Sequence, residues 1–503
     1  MTRRHLLRSA AAAPLAAPFA ATPQPARPRP SRPNILLVMA DQFRADCLGA
    51  SGNRAIHTPN LDRLASEGVR FTNAYSSTPT CTPARSGLLS GLAPWNHGML
   101  RMAGGIAQRY PVEMPRALRE AGYYTTAIGK LHYHVQRNLH GYHQGLLDES
   151  GRIETPDFRS DYRSWFWTEA PQADPDATGL GWNDYDARPY ALPERLHPTA
   201  WIGQTAAKWI ENYQRPEPFF LKVSFERPHS PYDPPERFWR RYENSDLPAA
   251  AVAPWARKFA PRLAQSDAWH GDFGAAQVRR SRQGYYASVE FVDEQIGRVL
   301  EALHRRGWTE ETLIVFLSDH GDMLGDHHLW RKSYAYTASA RVPFLMRAPD
   351  GPRGKVVDSL IELRDVLPTF LDAARAPASH PLDGQSLLPL AAGKSAGWRQ
   401  WLDLEHGICY SPENHWNALA DQRYKYIFHA RDAGEQLFDL AADPNELHDL
   451  AGDSAAEPIL RQWRTRMIEH LAPRGDHWVK GGKLAARETD PDHSPNYPAA
   501  RVG

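Results

Sequence analysis

The chain has 503 residues, 42% of them hydrophobic and 23% charged, with a formal net charge of +1. That length supports more than one domain and a large core. The even charge balance excludes a nucleic-acid binder that works through a strong general field. Three cysteines are too few for a disulfide framework. Trp (16) and Tyr (20) are generous; most fill cores, and some suit stacking on a sugar or aryl ring.

Thr2-Arg3-Arg4-His5-Leu6-Leu7-Arg8 forms a twin-arginine pattern ahead of the apolar stretch Ser9 to Ala21, which is too short to span a bilayer. Pro23 to Pro33 reads as a Pro/Arg-rich linker. Residues 1–33 are therefore expected to be an export signal and linker, giving a periplasmic or secreted protein. No other run approaches membrane-spanning length. Cys47 and Cys409 read as two buried free thiols; nothing in the sequence says that they meet.

Asn34 to Ala40 is a continuous apolar run, as a buried parallel strand requires. Thr58-Pro59 opens a helix whose stripe is Leu61, Leu64 and Ala65, and Gly68 stops it. Val69 to Phe71 continues as a strand. A second helix, Met114 to Ala121, leads through Gly122 to a strand at Tyr123 to Ile128. Central strands are expected at 218–225 and 312–318. Between them Val289, Val292, Ile296, Val299 and Leu303 recur at helical spacing. Segments 145–200 and 240–280 show no periodicity and read as irregular loops. Strands at Trp416 to His429 and Glu435 to Leu440, then a helix at Pro458 to Leu471, indicate a small C-terminal unit, with a loosely ordered tail after Arg474.

The expected fold class is α/β: a large, mainly parallel sheet flanked by helices over 34–384, and a smaller α+β subdomain with an antiparallel sheet over 385–503. Ligands of such sheets collect at the carboxyl ends of strands. Five polar clusters fall there. They are Asp41-Gln42; Cys81-Thr82-Pro83-Ala84-Arg85; Gly129-Lys130-Leu131-His132; Arg227-Pro228-His229; and Asp319-His320-Gly321-Asp322 with Trp330-Arg331-Lys332 close behind. Pro83 can open a helix, so residue 81 would face a helix N-terminus, which favours anionic oxygens. Each cluster alone is a weak signal, since an Asp after a strand is commonly a cap.

In order and spacing the five clusters resemble the sulfatases of the alkaline-phosphatase-like superfamily, from Asn34 to about Pro349, with a weaker echo at Glu435 to Leu450. The resemblance implies that Cys81, in its Cys-x-Pro-x-Arg setting, is oxidised to formylglycine by a formylglycine-generating enzyme. The hydrated aldehyde then attacks a sulfate monoester, expected on a sugar or another small molecule. It further implies one divalent metal held by Asp41, Gln42, Cys81, Asp319 and His320. Calcium is the family metal; manganese is the alternative, because imidazole suits it. Arg85 and Lys130 would stabilise the nucleophile's oxygens, His132 would act as base, and His229 and Lys332 would bind sulfate and assist the leaving group.

Three positions depart from the pattern: Ala84 where Ser is common, Gln42 where a second Asp is expected, and His320 where Asn is usual. The Gln/His combination also resembles phosphonate monoester and phosphodiester hydrolases that use the same formylglycine. A silent binding protein on the same fold is the non-enzymatic alternative. His134, His327, His328, Arg44, Asp46 and Asp233 lie near the motifs without a fixed role. Neither a nucleic-acid partner nor a membrane span is expected.

Overall fold

The computed structural model describes residues 32–498 apart from 103–105, 107–108 and 154. The twin-arginine pattern and its apolar stretch lie outside the described residues. Among the described residues no helix is long and apolar enough to cross a membrane.

Eight strands form the main sheet: β1 (Asn34–Asp41), β2 (Val69–Tyr75), β3 (Tyr124–Gly129), β4 (Gln144–Leu147), β5 (Phe219–Pro228), β6 (Thr312–Ser318), β7 (Phe344–Arg347) and β8 (Lys355–Glu362). Their order is β4-β3-β5-β1-β6-β7-β2-β8. Only β7 runs against its neighbours; the remaining pairings are parallel. The expected strands are thus present, each within a residue or a few of its anticipated bounds.

Side-chain alternation explains why β1 is apolar throughout. Leu36, Val38 and Ala40 join the core on one face, beneath the Pro198–Asn212 and Gly274–Arg305 helices. Ile35, Leu37 and Met39 join the core on the other face, with residues of the Cys81–Ser90, Met114–Glu120 and Val366–Ala374 helices. A strand covered on both faces has no position for an exposed polar side chain. Strand β6 follows the same rule, all seven of its residues being buried.

Beyond the main sheet, β9 (Leu402–His406), β10 (Trp416–Ala420), β11 (Tyr424–His429) and β12 (Gly434–Asp439) form an antiparallel sheet in the order β12-β11-β10-β9. One face packs with Tyr75, Met323, Leu329 and Tyr336 of the main unit. The other takes Leu460, Trp463 and Met467 of the Glu457–Leu471 helix. Arg32–Gly503 forms a single unit, so the division at 384/385 is a proposed boundary within it.

Two expectations need correction. The tail is ordered, not loose, through 498. Arg487 is buried and bonds Asn417 and Asp490, and Ser494 donates to the Trp95 carbonyl. Asn417 and Trp95 are remote in sequence from these residues, so no local pattern announces the contacts. The 145–200 segment also contains a helix, Asp161–Glu169, with Ser160 accepting from the Arg163 N–H at its start. Its stripe is too short and too aromatic to register as periodic. Among the described residues all three cysteines are free; Cys47 and Cys81 are buried and Cys409 half-buried.

Lys222, in the middle of β5, is 3% exposed. Burial first, and the Arg85 charge second, pull its ammonium from 10.5 down to about 7. Between pH 7 and 10 the unfolded chain therefore holds a proton here that the folded chain lacks. This residue makes stability rise with pH across that window. Lys222→Met should consequently raise the denaturant midpoint more at pH 7 than at pH 9; an equal gain at both would contradict a strained buried ammonium.

Candidate active site

Strand register assembles the first half of the site. Ala40 of β1 faces Ser318 of β6, so Asp41 and Asp319 leave adjacent parallel strands side by side, roughly 4.8 Å apart in backbone. A register shift after Ala40 pairs Asp41 with Pro228 of β5. That bulge carries the chain on so that the His229 N–H donates to the Asp41 carbonyl at 3.1 Å. On β3, Gly129 turns the chain at φ 98°, where a Cβ would sit 2.1 Å from the Ser224 carbonyl oxygen. Only glycine lets Lys130 and His132 follow so closely.

Cys81 begins its helix, with Thr80 in the cap position. The Thr80 hydroxyl contacts Ser333 Oγ at 2.7 Å and His406 Nε2 at 2.5 Å. The C-terminal sheet thereby braces the helix start that carries residue 81. Nothing in the sequence points to His406, which lies 326 residues beyond Thr80.

Arg85 lies between the two aspartates. Its Nε donates to Asp319 Oδ2 at 2.9 Å and one terminal nitrogen to Asp41 Oδ2 at 3.0 Å. The other terminal nitrogen donates to the Lys130 carbonyl at 2.8 Å and to Ser224 Oγ at 3.3 Å. Lys130 Nζ is 2.6 Å from Asp41 Oδ2. Burial pushes the Asp41 carboxyl up, but Lys130 and Arg85 outweigh it and hold it well below the usual range. The cations thus sit on the outer oxygens, and the inner oxygens turn to a common centre.

One donor atom from each of Asp41, Cys81, Asp319 and His320 lies within 4.8 Å of the others, all four residues being buried. His320 Nδ1 donates to the Gly321 carbonyl at 2.9 Å, which fixes the tautomer with the Nε2 lone pair facing Cys81 Sγ at 3.2 Å. Two carboxylates, an imidazole and residue 81 fit a divalent cation. Gln42 is placed differently. Its Oε1 accepts from Lys332 Nζ at 2.7 Å and its Nε2 donates to Asp322 Oδ2 at 2.5 Å, so both ends of the amide are engaged beside the cluster. Asp322 also accepts from the Tyr232 hydroxyl at 2.6 Å.

The remaining groups lie beside the cations of this cluster. His229 Nδ1 donates to the Ser230 carbonyl at 2.8 Å, leaving Nε2 to accept from Lys332 Nζ at 2.6 Å. Burial and the Lys332 charge hold the His229 imidazole well below its ordinary pKa. Burial, with Arg331 and Lys130 adding to it, likewise lowers the Lys332 ammonium. His132 is 3% exposed, in left-handed backbone at φ 61°. Its N–H and that of Leu131 both donate to Glu149 Oε1. Burial and then Lys130 keep its ring neutral, and its Nδ1 has no hydrogen-bond partner. Burial and Asp41 push the Cys81 thiol up, yet Lys332, Lys130 and His320 outweigh them and bring it below its ordinary value.

The other neighbours divide as follows. Arg44 pairs with Asp46 and Asp326 and braces the loop after β6. Asp233 pairs with Arg227 at 2.8 Å. His134 is exposed, His328 half-buried, and the buried His327 stacks near Trp255. Two residues went unnoticed in the sequence: Trp182 lies against His229, and Asn183 Oδ1 accepts from Lys332 Nζ at 3.2 Å. Their only signal was the aromatic richness of the loop.

A buried carboxylate–imidazole–thiol cluster flanked by cations lies on the carboxyl edge of the mainly parallel sheet. The family model for sulfatases matches residues 33–376. A model described as N-sulphoglucosamine sulphohydrolase, C-terminal, matches 325–472. An arylsulfatase of Clostridium perfringens is 36% identical over 471 residues, covering 90% of this chain and 97% of its own. A choline-sulfatase of Rhizobium meliloti is 30% identical over 493 residues, 93% of this chain and 92% of its own. The crystal structure of the phosphonate monoester hydrolase of Agrobacterium radiobacter aligns with a TM-score of 0.75 at 26% identity, over 88% of this chain and 96% of that one. The chain belongs to the sulfatase family, and its class is that of a sulfuric ester hydrolase.

The donor geometry separates His320 from Gln42. In His320→Ala and Asp319→Ala, metal content after dialysis should fall at least about tenfold, as expected when a ligand is lost; in Gln42→Ala it should stay near wild type. Elemental analysis reading a comparable loss in all three would place Gln42 among the ligands.

Proposed function

We propose that the protein hydrolyses a sulfate monoester through a formylglycine made from Cys81 and one divalent cation. The observation that carries this reading is the field of Lys332, Lys130 and Arg85 at residue 81, with the neutral His229 and His132 beside those cations and a cation-sized donor cluster. A formylglycine at 81, installed by a formylglycine-generating enzyme, would supply the nucleophilic oxygen that a thiol lacks. A cation held by Asp41, Asp319, His320 and residue 81 would supply Lewis acidity; calcium is expected first, with manganese suited by the imidazole. Gln42, included in the set that the resemblance implies, would act by orienting Lys332.

The chain's own groups divide the remaining work. Lys130 and Arg85 hold positive charge beside residue 81 and so favour anionic oxygens there. Lys332, with its lowered pKa, can hand a proton to the departing oxygen, and His229 Nε2, 2.6 Å from Lys332 Nζ, shares that proton path. His132, kept neutral by its burial, can take a proton as the base of the second half-reaction. The alcohol half is proposed to be a carbohydrate, on the strength of the aromatic-rich loop that brings Trp182 to the site. A silent binding protein would have no use for buried cations and neutral imidazoles gathered around a residue 81 whose thiol they bring below its ordinary pKa. The twin-arginine pattern supports export to the periplasm or beyond.

A second reading is favoured by Gln42 and His320 and by the fold match to the phosphonate monoester hydrolase: hydrolysis of phosphonate monoesters or phosphodiesters by the same groups. The matured enzyme should turn over an aryl sulfate with a kcat/KM at least about tenfold above that for the matching aryl phosphodiester; the reverse ratio favours the second reading. His132→Ala should release alcohol in a burst equal to the enzyme present and then stall, whereas steady turnover at the wild-type rate would remove His132 from the reaction.

A further inference from the structure

The groups that must meet an ester are shut away. Cys81, Lys130, His132, His229 and Lys332 are each at most 4% exposed. The cover is the segment after Gly181. The Trp182 indole lies flat on the His229 imidazole, ring centroids 4.0 Å apart and planes 24° apart. Lys130 Nζ lies 4.5 Å from the Trp182 ring centroid. Asn183, in left-handed backbone at φ 70°, offers Oδ1 to Lys332 Nζ at 3.2 Å. A neutral amide oxygen thus stands on the lysine that the proposed mechanism gives to the substrate. The indole covers the imidazole assigned to the leaving group.

Trp182 also lines a cavity of about 330 Å³, together with Tyr162, Tyr190, Arg163 and Glu226. The cavity gives a displaced indole somewhere to go. Neither Trp182 nor Asn183 is fully buried, and each would leave the site by moving towards that cavity or solvent.

We propose that Trp182 and Asn183 hold the ester's place in the free protein, and that the alcohol half of the substrate carries a six-membered ring that takes over the indole's seat. The proposal rests on the sulfate-ester reading for its substrate but not for its cap. A ring with a flat face regains the stacking on His229 that the indole gives up, and an aryl ring regains the contact with the Lys130 cation as well. A linear chain regains neither. An aryl ring and a sugar ring share that flat face. Because the competent state is only the fraction with the cap open, removing the indole should tighten apparent binding by the inverse of that fraction.

Two measurements test this. In metal-free protein made without maturation, Cys81 is a thiol whose alkylation by iodoacetamide can be followed by peptide mass spectrometry. Trp182→Ala should speed alkylation of Cys81 at least about tenfold, with Cys47, 0% exposed, unchanged as the control for folding. Equal rates at Cys81 in variant and wild type would overturn the cap. In matured wild-type enzyme, cyclohexylmethyl sulfate, a hexopyranose 6-sulfate and n-hexyl sulfate compare primary alcohols of similar leaving ability. At least one ring ester should exceed the hexyl ester about tenfold in kcat/KM, and the better ring tells an apolar source from a sugar. Equal values for all three would overturn the ring seat. No turnover on any of them, with alkylation accelerated, would count against the sulfatase reading and leave the cap standing.

Discussion

The site depends on one guanidinium. Parallel register brings Asp41 and Asp319 out of β1 and β6 side by side, both 0% exposed. Two buried carboxylates at that spacing repel unless a cation lies between them. Arg85 supplies it and takes one oxygen from each. Its remaining nitrogen binds the chain just past β3 and a side chain of β5. Three strand ends and the middle of β5 are therefore tied through a single side chain that itself comes from the helix of residue 81. Burial alone would lower the Arg85 pKa, but Asp319 and Asp41 outweigh it and raise it. The charge that the site needs is permanent.

That arrangement explains why the outer and inner oxygens of the aspartates do different things. The outer ones are committed to Arg85 and Lys130. Of the inner ones, Asp41 Oδ1 faces Cys81 and His320, and Asp319 Oδ1 accepts from the Gln42 and His320 backbone N–H groups, beside an imidazole whose tautomer is set by the Gly321 carbonyl. A thiol at the same centre sits in a field of cations strong enough to offset its burial. Such a field suits an ester that develops negative oxygen as its bond breaks. It does not by itself choose sulfur over phosphorus. Further out, the Gln42 amide holds Lys332 on one side and Asp322 on the other.

The central sheet was legible because a strand covered on both faces must be apolar at every position, and β1, β5 and β6 are nearly so. Four of the five site clusters were legible because each ends or directly follows a strand, and the Cys81 run was legible from its own residues. What the sequence hid depends on remote partners. Gln42 sits next to Asp41 in the chain, yet its side chain points to Lys332, 290 positions away. His406 braces Thr80 from the second sheet, and Arg487 and Asp490 pin a tail that carries no periodicity. Trp182 and Asn183 come from a stretch where aromatic and turn residues mask any pattern. Local periodicity reports which face an element buries; it cannot report which side chain closes a site from above.

The central claim is that the reaction runs on what residue 81 becomes rather than on its thiol. It is tested most directly by making the protein with graded amounts of a formylglycine-generating enzyme. The fraction of residue 81 converted is measured by peptide mass spectrometry and plotted against aryl sulfate turnover at fixed metal. The account predicts a straight line through zero; appreciable turnover at zero conversion would contradict it.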